Sequence, residues 1–205
     1  MDAAAAMVDV KFALAGDALP RDHGQLVAQA LAQHLPWLDD DPAFGVHRVK
    51  LVAGSGEPAL LSRHSRLALR VARTRAAAVA ALAGATLDIG GCRVQLGAAV
   101  VRELLAHATL YAPLVVAPAD GDCDEATFLG SVQAELDALG VRARLVCGRR
   151  GALCHCGAQL GGFSLMLDGL SAADSLHVQE HGIGGHRRLG CGVFVPHRSA
   201  AAVAA

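Results

Sequence analysis

The order of hydrophobic segments limits what this 205-residue chain can fold into more than any other feature of its sequence. Apolar periodicity and turn signals predict strand, helix, strand, strand, helix and strand in the first half, at residues 8–14, 22–35, 46–52, 67–71, 74–83 and 86–96. The last of these is a pair of strands, 86–89 and 92–96, that flank Gly90-Gly91, a two-residue hairpin signal. The same order recurs in the second half, at residues 107–116, 125–139, 141–147, 163–167, 171–181 and 193–195. Two such β-α-β-β-α-β passes predict an α+β fold of two tandem ferredoxin-like (RRM-like) domains, which we place at residues 1–102 and 103–205.

The start of the first helix is predicted from a capping-box pattern, Asp22 followed by Gln25. Apolar residues then recur at helical spacing, and His34 falls on the same stripe as Leu26. This position favours a buried, structural role for His34. Pro36 is expected to end the helix, because proline cannot continue one.

Composition narrows the possible classes of function. The net charge of −1 and the pI near 6.8 differ from the basic composition common in nucleic-acid-binding domains. Residues 142–198 nevertheless contain seven arginines and only three acidic residues, so a basic surface can form locally. Aromatic residues make up 3% of the chain, which argues against base stacking on an open sheet. The first residues lack a secretory signal, and no run of about 18 apolar residues occurs. We therefore expect a cytoplasmic protein with reduced thiols and no membrane partner.

A glycine-rich segment with the sequence GIGGHRRLGCG, residues 182–192, carries the strongest functional signal. Glycine permits positive φ and the close approach of another backbone, so such a loop can present bare N–H groups to phosphate oxygens. Arg187 and Arg188 would add charge-assisted, bidentate donors. The segment lies between a predicted helix and a predicted strand, which is the wrong order for a dinucleotide site. The structural alternative is a flexible surface loop.

Together, the repeated fold and a GhGxxxxxGhG loop before the last strand resemble the CRISPR-associated endoribonucleases that cut the repeats of precursor CRISPR RNA. The loop pattern fits in full, with Gly-Ile-Gly at 182–184 and Gly-Cys-Gly at 190–192. The resemblance implies cleavage without a metal ion or other cofactor. In that reaction the 2′-hydroxyl of the RNA attacks the adjacent phosphate and leaves a 2′,3′-cyclic phosphate and a 5′-hydroxyl. The implied partner is CRISPR repeat RNA, as a stem-loop or a single strand, with or without other CRISPR-associated subunits of a surveillance complex.

The resemblance also implies a histidine on or near the first helix as the central catalytic group, and His23 is the first choice among ten histidines. The helix dipole disfavours a protonated imidazole at this position, which leaves a neutral base. The structural alternative is an ordinary exposed helix start. His47 is the reserve candidate, and His186 in the glycine-rich loop could contact the scissile phosphate. His107 and His197 lie at predicted strand ends, where structural roles are favoured.

Arginines outside the loop are candidates for recognising the RNA. Arg149 and Arg150 fall in the predicted connection between the second and third strands of the second domain, which approaches the RNA stem in the family that the chain resembles. Arg63 and Arg66 occupy the matching connection of the first domain, where surface charge explains them nearly as well. The full set of predicted RNA-binding residues is Arg63, Arg66, Arg149, Arg150, Gly182, Gly184, His186, Arg187, Arg188, Gly190 and Gly192.

Two other functions stay open on the sequence alone. One is an RNA-binding subunit of a CRISPR surveillance complex that holds the RNA without cutting it. The other is a metal-binding or regulatory ferredoxin-like protein unrelated to RNA. Cys147, Cys154 and Cys156, with His155 beside them, form the one cluster that resembles a metal site. It lacks the paired C-x-x-C spacing of zinc sites, so we expect no bound metal.

Overall fold

The computed structural model describes residues 6–118 and 123–197. These residues form two compact units. The first contains the chain up to Glu103 together with Arg188–Gly190, and the second contains Leu104–Arg187 and the residues from Cys191 onward.

The first unit contains the elements β1 (Met7–Ala15), β2 (Ala18–Leu19), α1 (Gly24–Ala32), β3 (Gly45–Val46), β4 (Ala59–Leu60), β5 (Arg66–Ala72), α2 (Ala76–Ala80), β6 (Thr86–Ile89) and β7 (Cys92–Glu103). Its main sheet is antiparallel, with the strand order β3-β5-β1-β7-β6. β2 and β4 form a separate two-stranded ribbon. Alternate residues of β1, such as Val8 and Phe12, are fully buried, as period-2 patterning requires.

The second unit contains the elements β8 (Thr109–Val116), α3 (Glu125–Ala138), β9 (Arg144–His155), β10 (Ala158–Asp168), α4 (Ala172–His181) and β11 (Val195–Pro196). Its sheet is antiparallel, with the strand order β11-β8-β10-β9. The core of this unit includes Phe128, Val132 and Leu136, which recur at helical spacing along α3 and are buried. Both sheets place the second, third, first and fourth strands of the repeated pattern side by side, so the predicted ferredoxin-like fold class is confirmed.

Three local predictions in the first unit are wrong. α1 begins at Gly24 with His23 as its N-cap, and not after Asp22. His34 is exposed, because α1 ends at Ala32 and the helical phase that placed His34 on the apolar stripe ends with it. The strand predicted over residues 46–52 is reduced to Gly45–Val46. Within the described residues, no helix combines the length and the apolar character that crossing a membrane requires.

Candidate functional site

The glycine-rich loop, residues 182–192, closes on itself through its two glycine-containing ends. Gly182, Gly184, Gly190 and Gly192 all have positive φ, between 62° and 89°. A Cβ at Gly182 would lie 2.6 Å from the main-chain oxygen of Gly192, and a Cβ at Gly192 would lie 3.1 Å from the carbonyl carbon of Ile183. The two ends therefore approach too closely to admit a side chain at Gly182 or Gly192.

Backbone donors at these ends are already hydrogen-bonded within the protein. The Gly182 N–H donates to Val178 O over 2.8 Å, and the Gly184 N–H donates to Glu135 Oε2 over 2.7 Å. At the other end, the Cys191 N–H donates to His186 O over 3.3 Å, and the Gly192 N–H donates to Leu114 O over 2.8 Å. The expectation of bare N–H groups is therefore wrong at these four positions. Any phosphate contact of the loop, as the sequence predicts it, would need other groups.

The two adjacent arginines of the loop have opposite environments. Arg187 is 7% exposed, and its Nη1 donates to the main-chain oxygen of Glu180 over 2.7 Å. This guanidinium packs under the loop backbone, since a Cβ at Gly182 would lie 3.0 Å from Nη1. Arg188 keeps 42% of its side chain exposed and forms an ion pair with Asp39. The structure thus buries Arg187, which we expected to bind phosphate, and leaves Arg188 accessible.

His23 is buried, with 4% of its surface exposed, and both of its ring nitrogens are engaged. Nδ1 lies 3.0 Å from Pro20 O, and Nε2 accepts a hydrogen bond from Val49 N–H over 3.1 Å. Because a carbonyl oxygen can only accept and an N–H can only donate, the ring is neutral and carries its proton on Nδ1. Burial lowers the pKa of His23, and the charge of Arg48 acts in the same direction. The alternative of an ordinary exposed helix start is therefore excluded.

Loop residues 188–190 pack against the start of α1 within the first unit. A Cβ at Gly24 would lie 3.3 Å from the carbonyl carbon of Leu189, and a Cβ at Gly190 would lie 2.7 Å from Cγ of Arg48. This packing places the main chain of Leu189 against Gly24, the residue after His23, and places Gly190 against Arg48, whose charge lowers the pKa of His23. We call His23 and Arg48 the α1 cluster. It combines a neutral imidazole with a cationic side chain.

His47, the reserve candidate, belongs to a different network. Its Nε2 lies 3.1 Å from Asp9 Oδ1, and the same oxygen accepts a hydrogen bond from Arg70 Nε over 2.8 Å. Burial lowers the pKa of His47, although Asp9 opposes that shift. Burial alone would raise the pKa of Asp9, but His47 and Arg70 hold it far below its usual value. Asp9 lies in β1, so this network ties His47 to the first sheet.

His186 is exposed and has a φ of 65°. Its ring centroid lies 5.5 Å from that of His155, the last residue of β9. His107 and His197 have the structural contacts expected at strand ends. His107 Nδ1 lies 3.0 Å from Thr109 O, and the His197 ring lies 5.2 Å from that of Tyr111.

Arg149 and Arg150 lie inside β9 and not in the connection where we predicted them. The turn of this hairpin falls later, at residues 156–157. Arg149 is exposed. Arg150 donates from Nη2 to Cys123 O over 2.7 Å, and its guanidinium lies 5.5 Å from the centre of the Phe163 ring. Both arginines therefore lie along the exposed edge strand of the second sheet.

Arg63 lies in the turn before β5, in the predicted connection, and Arg66 is the first residue of β5. Arg66 Nη1 donates to Arg63 O over 2.8 Å, and Arg63 Nε donates to His64 Nε2 over 3.1 Å. Within residues 6–118 and 123–197, no hydrogen bond or ion pair joins these two arginines to the α1 cluster.

Sequence reasoning missed three residues that shape these sites. Arg48 was hidden inside a predicted strand, and Asp39 was visible only as part of an acidic run. Glu135 was passed over because the pattern of α3 draws attention to its apolar face. In the part of the chain that the structure describes, no group of three or more His, Cys, Asp or Glu side chains could hold a metal ion.

A family model and a curated relative both match this chain over nearly its whole length. A family model described as Cas6 Crispr matches residues 8–199. The CRISPR-associated endonuclease Cas6 of Myxococcus xanthus (strain DK1622) is 39% identical over 196 residues, which cover 96% of this chain and 84% of that relative.

Solved structures are similar in fold. A CRISPR associated protein Cas6 has a TM-score of 0.69 at 11% identity, covering 94% of this chain and 100% of that one. Thermus thermophilus Cse3, bound to an RNA representing a pre-cleavage complex, has a TM-score of 0.52 at 13% identity, covering 92% of this chain and 97% of that one. At such low identity these two likenesses bear on the fold alone.

Proposed function

Because the chain belongs to the Cas6 family of CRISPR-associated proteins, we propose that it is an endoribonuclease that cuts CRISPR repeat RNA in the precursor transcript and so yields mature CRISPR RNAs. The family predicted from the glycine-rich loop and the repeated fold is confirmed. The relative from Myxococcus xanthus is named an endonuclease, which favours cleavage over the alternative of an RNA-binding subunit that does not cut. Family membership also argues against a regulatory protein unrelated to RNA.

The proposed reaction is an attack of the RNA on itself and needs no metal ion. The 2′-oxygen loses its proton and bonds to the adjacent phosphorus, while the bond from phosphorus to the 5′-oxygen breaks. The leaving 5′-oxygen takes up a proton. The products are a 2′,3′-cyclic phosphate and a 5′-hydroxyl. The protein must supply a base, a proton donor and positive charge beside the phosphorane, and must hold the 2′-oxygen in line.

The observation that carries the proposal is the packing of loop residues 188–190 against the start of α1. This packing sets the α1 cluster, which offers a neutral imidazole and one cation, beside the loop segment that carries Arg188, an accessible second cation. Arg188 and Arg48 would neutralise charge on the phosphorane, and phosphate would replace Asp39 as the partner of Arg188.

His23 stays our proposed catalytic base, with one requirement set by its surroundings. Its Nε2 accepts the Val49 N–H over 3.1 Å, so the 2′-hydroxyl must take the place of that N–H before His23 can accept a proton. RNA binding would thus have to open the contact between His23 and Val49. We keep the other predicted RNA-binding residues. Arg187 is buried, and we assign it to supporting the loop instead of binding RNA.

The test is cleavage of labelled repeat RNA in EDTA by the wild type, His23→Ala and His34→Ala. His34 is a matched control, because it is an exposed histidine beyond the other end of α1. We expect His23→Ala to slow cleavage by roughly 100-fold or more while RNA binding persists, and His34→Ala to behave as the wild type. His23→Gln is a second variant that keeps hydrogen-bonding groups at this buried site but has no basic nitrogen.

Full activity in both His23 variants would move the base to His186 or His47, which the same assay can examine. A wild type that binds the repeat without cutting it would favour the non-catalytic alternative. Analysis of the product ends for a 2′,3′-cyclic phosphate tests the proposed chemistry independently of which residue is the base.

A further inference from the structure

We propose that a groove beneath the glycine-rich loop, within the second unit, binds a guanine base of the RNA and that Glu135 determines this specificity. The groove has a volume of about 580 Å³ and is lined by residues of β8, α3 and β10 and by loop residues 184–186. The inference rests on the proposed function, because it assigns a base contact to the RNA that this function requires.

Glu135 is the one charged side chain among the described residues that line the groove. Its Oε2 accepts the N–H of Gly184 over 2.7 Å, which ties α3 to the loop. No ion pair between Glu135 and a lysine or arginine occurs in the described part of the chain. An uncompensated carboxylate repels phosphate, so the groove is unsuited to the RNA backbone. It suits a group that offers N–H donors.

The carboxylate selects guanine among the four bases. A carboxylate has about four acceptor sites, and the Gly184 N–H occupies one of them. The Watson–Crick edge of guanine presents its imino and amino N–H groups side by side, so it can donate two hydrogen bonds to one carboxylate. Adenine and cytosine each place an acceptor nitrogen beside the amino group, and uracil flanks its single N–H with two carbonyl oxygens. These acceptors would face the carboxylate unfavourably.

The rest of the groove is compatible with an unstacked base. His186 and Pro118 supply flat surfaces, as single-stranded RNA recognition commonly uses. Gly161 of β10 adds no side chain to the lining, and a Cβ there would meet nothing within 4 Å. The groove therefore leaves room for a base beside Glu135.

Glu135→Gln separates base recognition from support of the loop. The amide oxygen of glutamine can still accept the Gly184 N–H, while its amino group replaces an acceptor in the groove with a donor. The variant should therefore keep the loop in place but no longer favour guanine. Glu125→Gln is the matched control, because it removes the same charge from the same helix roughly 15 Å away.

The experiment is selection by the full-length wild type, Glu135→Gln and Glu125→Gln from a pool of short single-stranded RNAs of random sequence, in which 2′-fluoro groups replace the 2′-hydroxyls so that the proposed cleavage cannot occur. Sequencing of the bound RNAs gives the base preference at each position. We expect the wild type and Glu125→Gln to enrich guanine at one position, and Glu135→Gln to lose that preference by roughly ten-fold while the other positions keep theirs.

Each outcome decides a different point. The same guanine preference in Glu135→Gln and the wild type would overturn the role of Glu135 and leave the proposed nuclease function standing. Loss of preference at every position together would indicate that Glu135 only supports the loop, and would also overturn the inference. A wild type that enriches no base at any position would overturn the inference, while cleavage of the repeat RNA in EDTA decides the proposed function separately.

Discussion

Replacing Gly24 by alanine sets two physical effects of opposite sign against each other. Gly24 is the first residue of α1, and glycine in a helix is less stable than alanine by about 0.5–1 kcal/mol. Helix propensity alone therefore predicts that Gly24→Ala stabilises the protein. The structure predicts the reverse, because the new Cβ would lie 3.3 Å from the carbonyl carbon of Leu189, 3.6 Å from its Cα, and nearer still to its oxygen.

The obstacle is backbone, so it cannot be relieved by a change of rotamer. Loop residues 188–190 would have to shift away from α1. Overpacking of this kind costs about 1–3 kcal/mol, which exceeds the gain in propensity, so we expect a net loss of roughly 1–2 kcal/mol in the free energy of unfolding. The same shift would move Arg188 away from His23. Cleavage should fall although no side chain of the α1 cluster is altered.

Gly130→Ala is the matched control. Gly130 is an exposed residue inside α3, and a Cβ there would meet nothing within 4 Å. Propensity acts alone at this position, so we expect stabilisation by about 0.5–1 kcal/mol and unchanged cleavage.

Urea unfolding followed by two signals tests both variants. Fluorescence of Trp37, whose ring lies 6.0 Å from that of Phe44, reports on the first unit. Far-UV circular dichroism reports on both units. If Gly24→Ala were as stable as Gly130→Ala and cut RNA at the wild-type rate, the reasoning from loop packing would be refuted.

Two further predictions concern charged groups. Arg187→Ala should lower the free energy of unfolding by about 2 kcal/mol or more, because it empties a buried site under the loop. Arg188→Ala should change the free energy of unfolding by less than about 0.5 kcal/mol. It should weaken RNA binding and make that binding less dependent on salt. Urea unfolding and binding at two salt concentrations test this pair, and equal stability losses would contradict the assignment. Burial lowers the pKa values of His23 and His47 below the ordinary 6.5, so below that pH the unfolded chain binds more protons than the folded protein. The contribution of these two histidines to the free energy of unfolding is therefore fully present above about pH 6.5. It falls on acidification, by up to about 1.4 kcal/mol per pH unit for each histidine. Unfolding midpoints measured across this range should depend less on pH in His23→Gln, and an unchanged slope would argue against the buried neutral imidazole.

Features that depend on neighbouring residues were predictable from the sequence. Ser171 is a residue type that favours the N-cap position, and its hydroxyl accepts the N–H of Asp174 over 3.1 Å. The Gly-Gly pair at 90–91 predicted the hairpin between β6 and β7. Helix caps and tight turns are set by backbone torsion angles and by hydrogen bonds between residues close in the chain, so local pattern identifies them.

Predictions failed where the deciding contact came from another part of the chain. Gly148 and Gly151 flank Arg149 and Arg150, and glycines so placed are typical of a turn. β9 nevertheless runs through all four residues. A Cβ at Gly148 would lie 3.6 Å from Cβ of Ser164 and closer to its Oγ, so this glycine serves a close approach between strands. The residues that meet across a sheet cannot be read from one strand alone.

By itself, the sequence determined the order of the elements, the family and the four loop glycines that take positive φ, because periodicity and backbone torsion are properties of short segments. Only the tertiary structure decided that Arg187 is buried while its neighbour Arg188 reaches solvent, and that both nitrogens of His23 are engaged. It alone paired Arg188 with Asp39, 149 residues away. Burial and pairing arise from residues that folding brings together, and adjacent residues of the same type therefore acquire different roles.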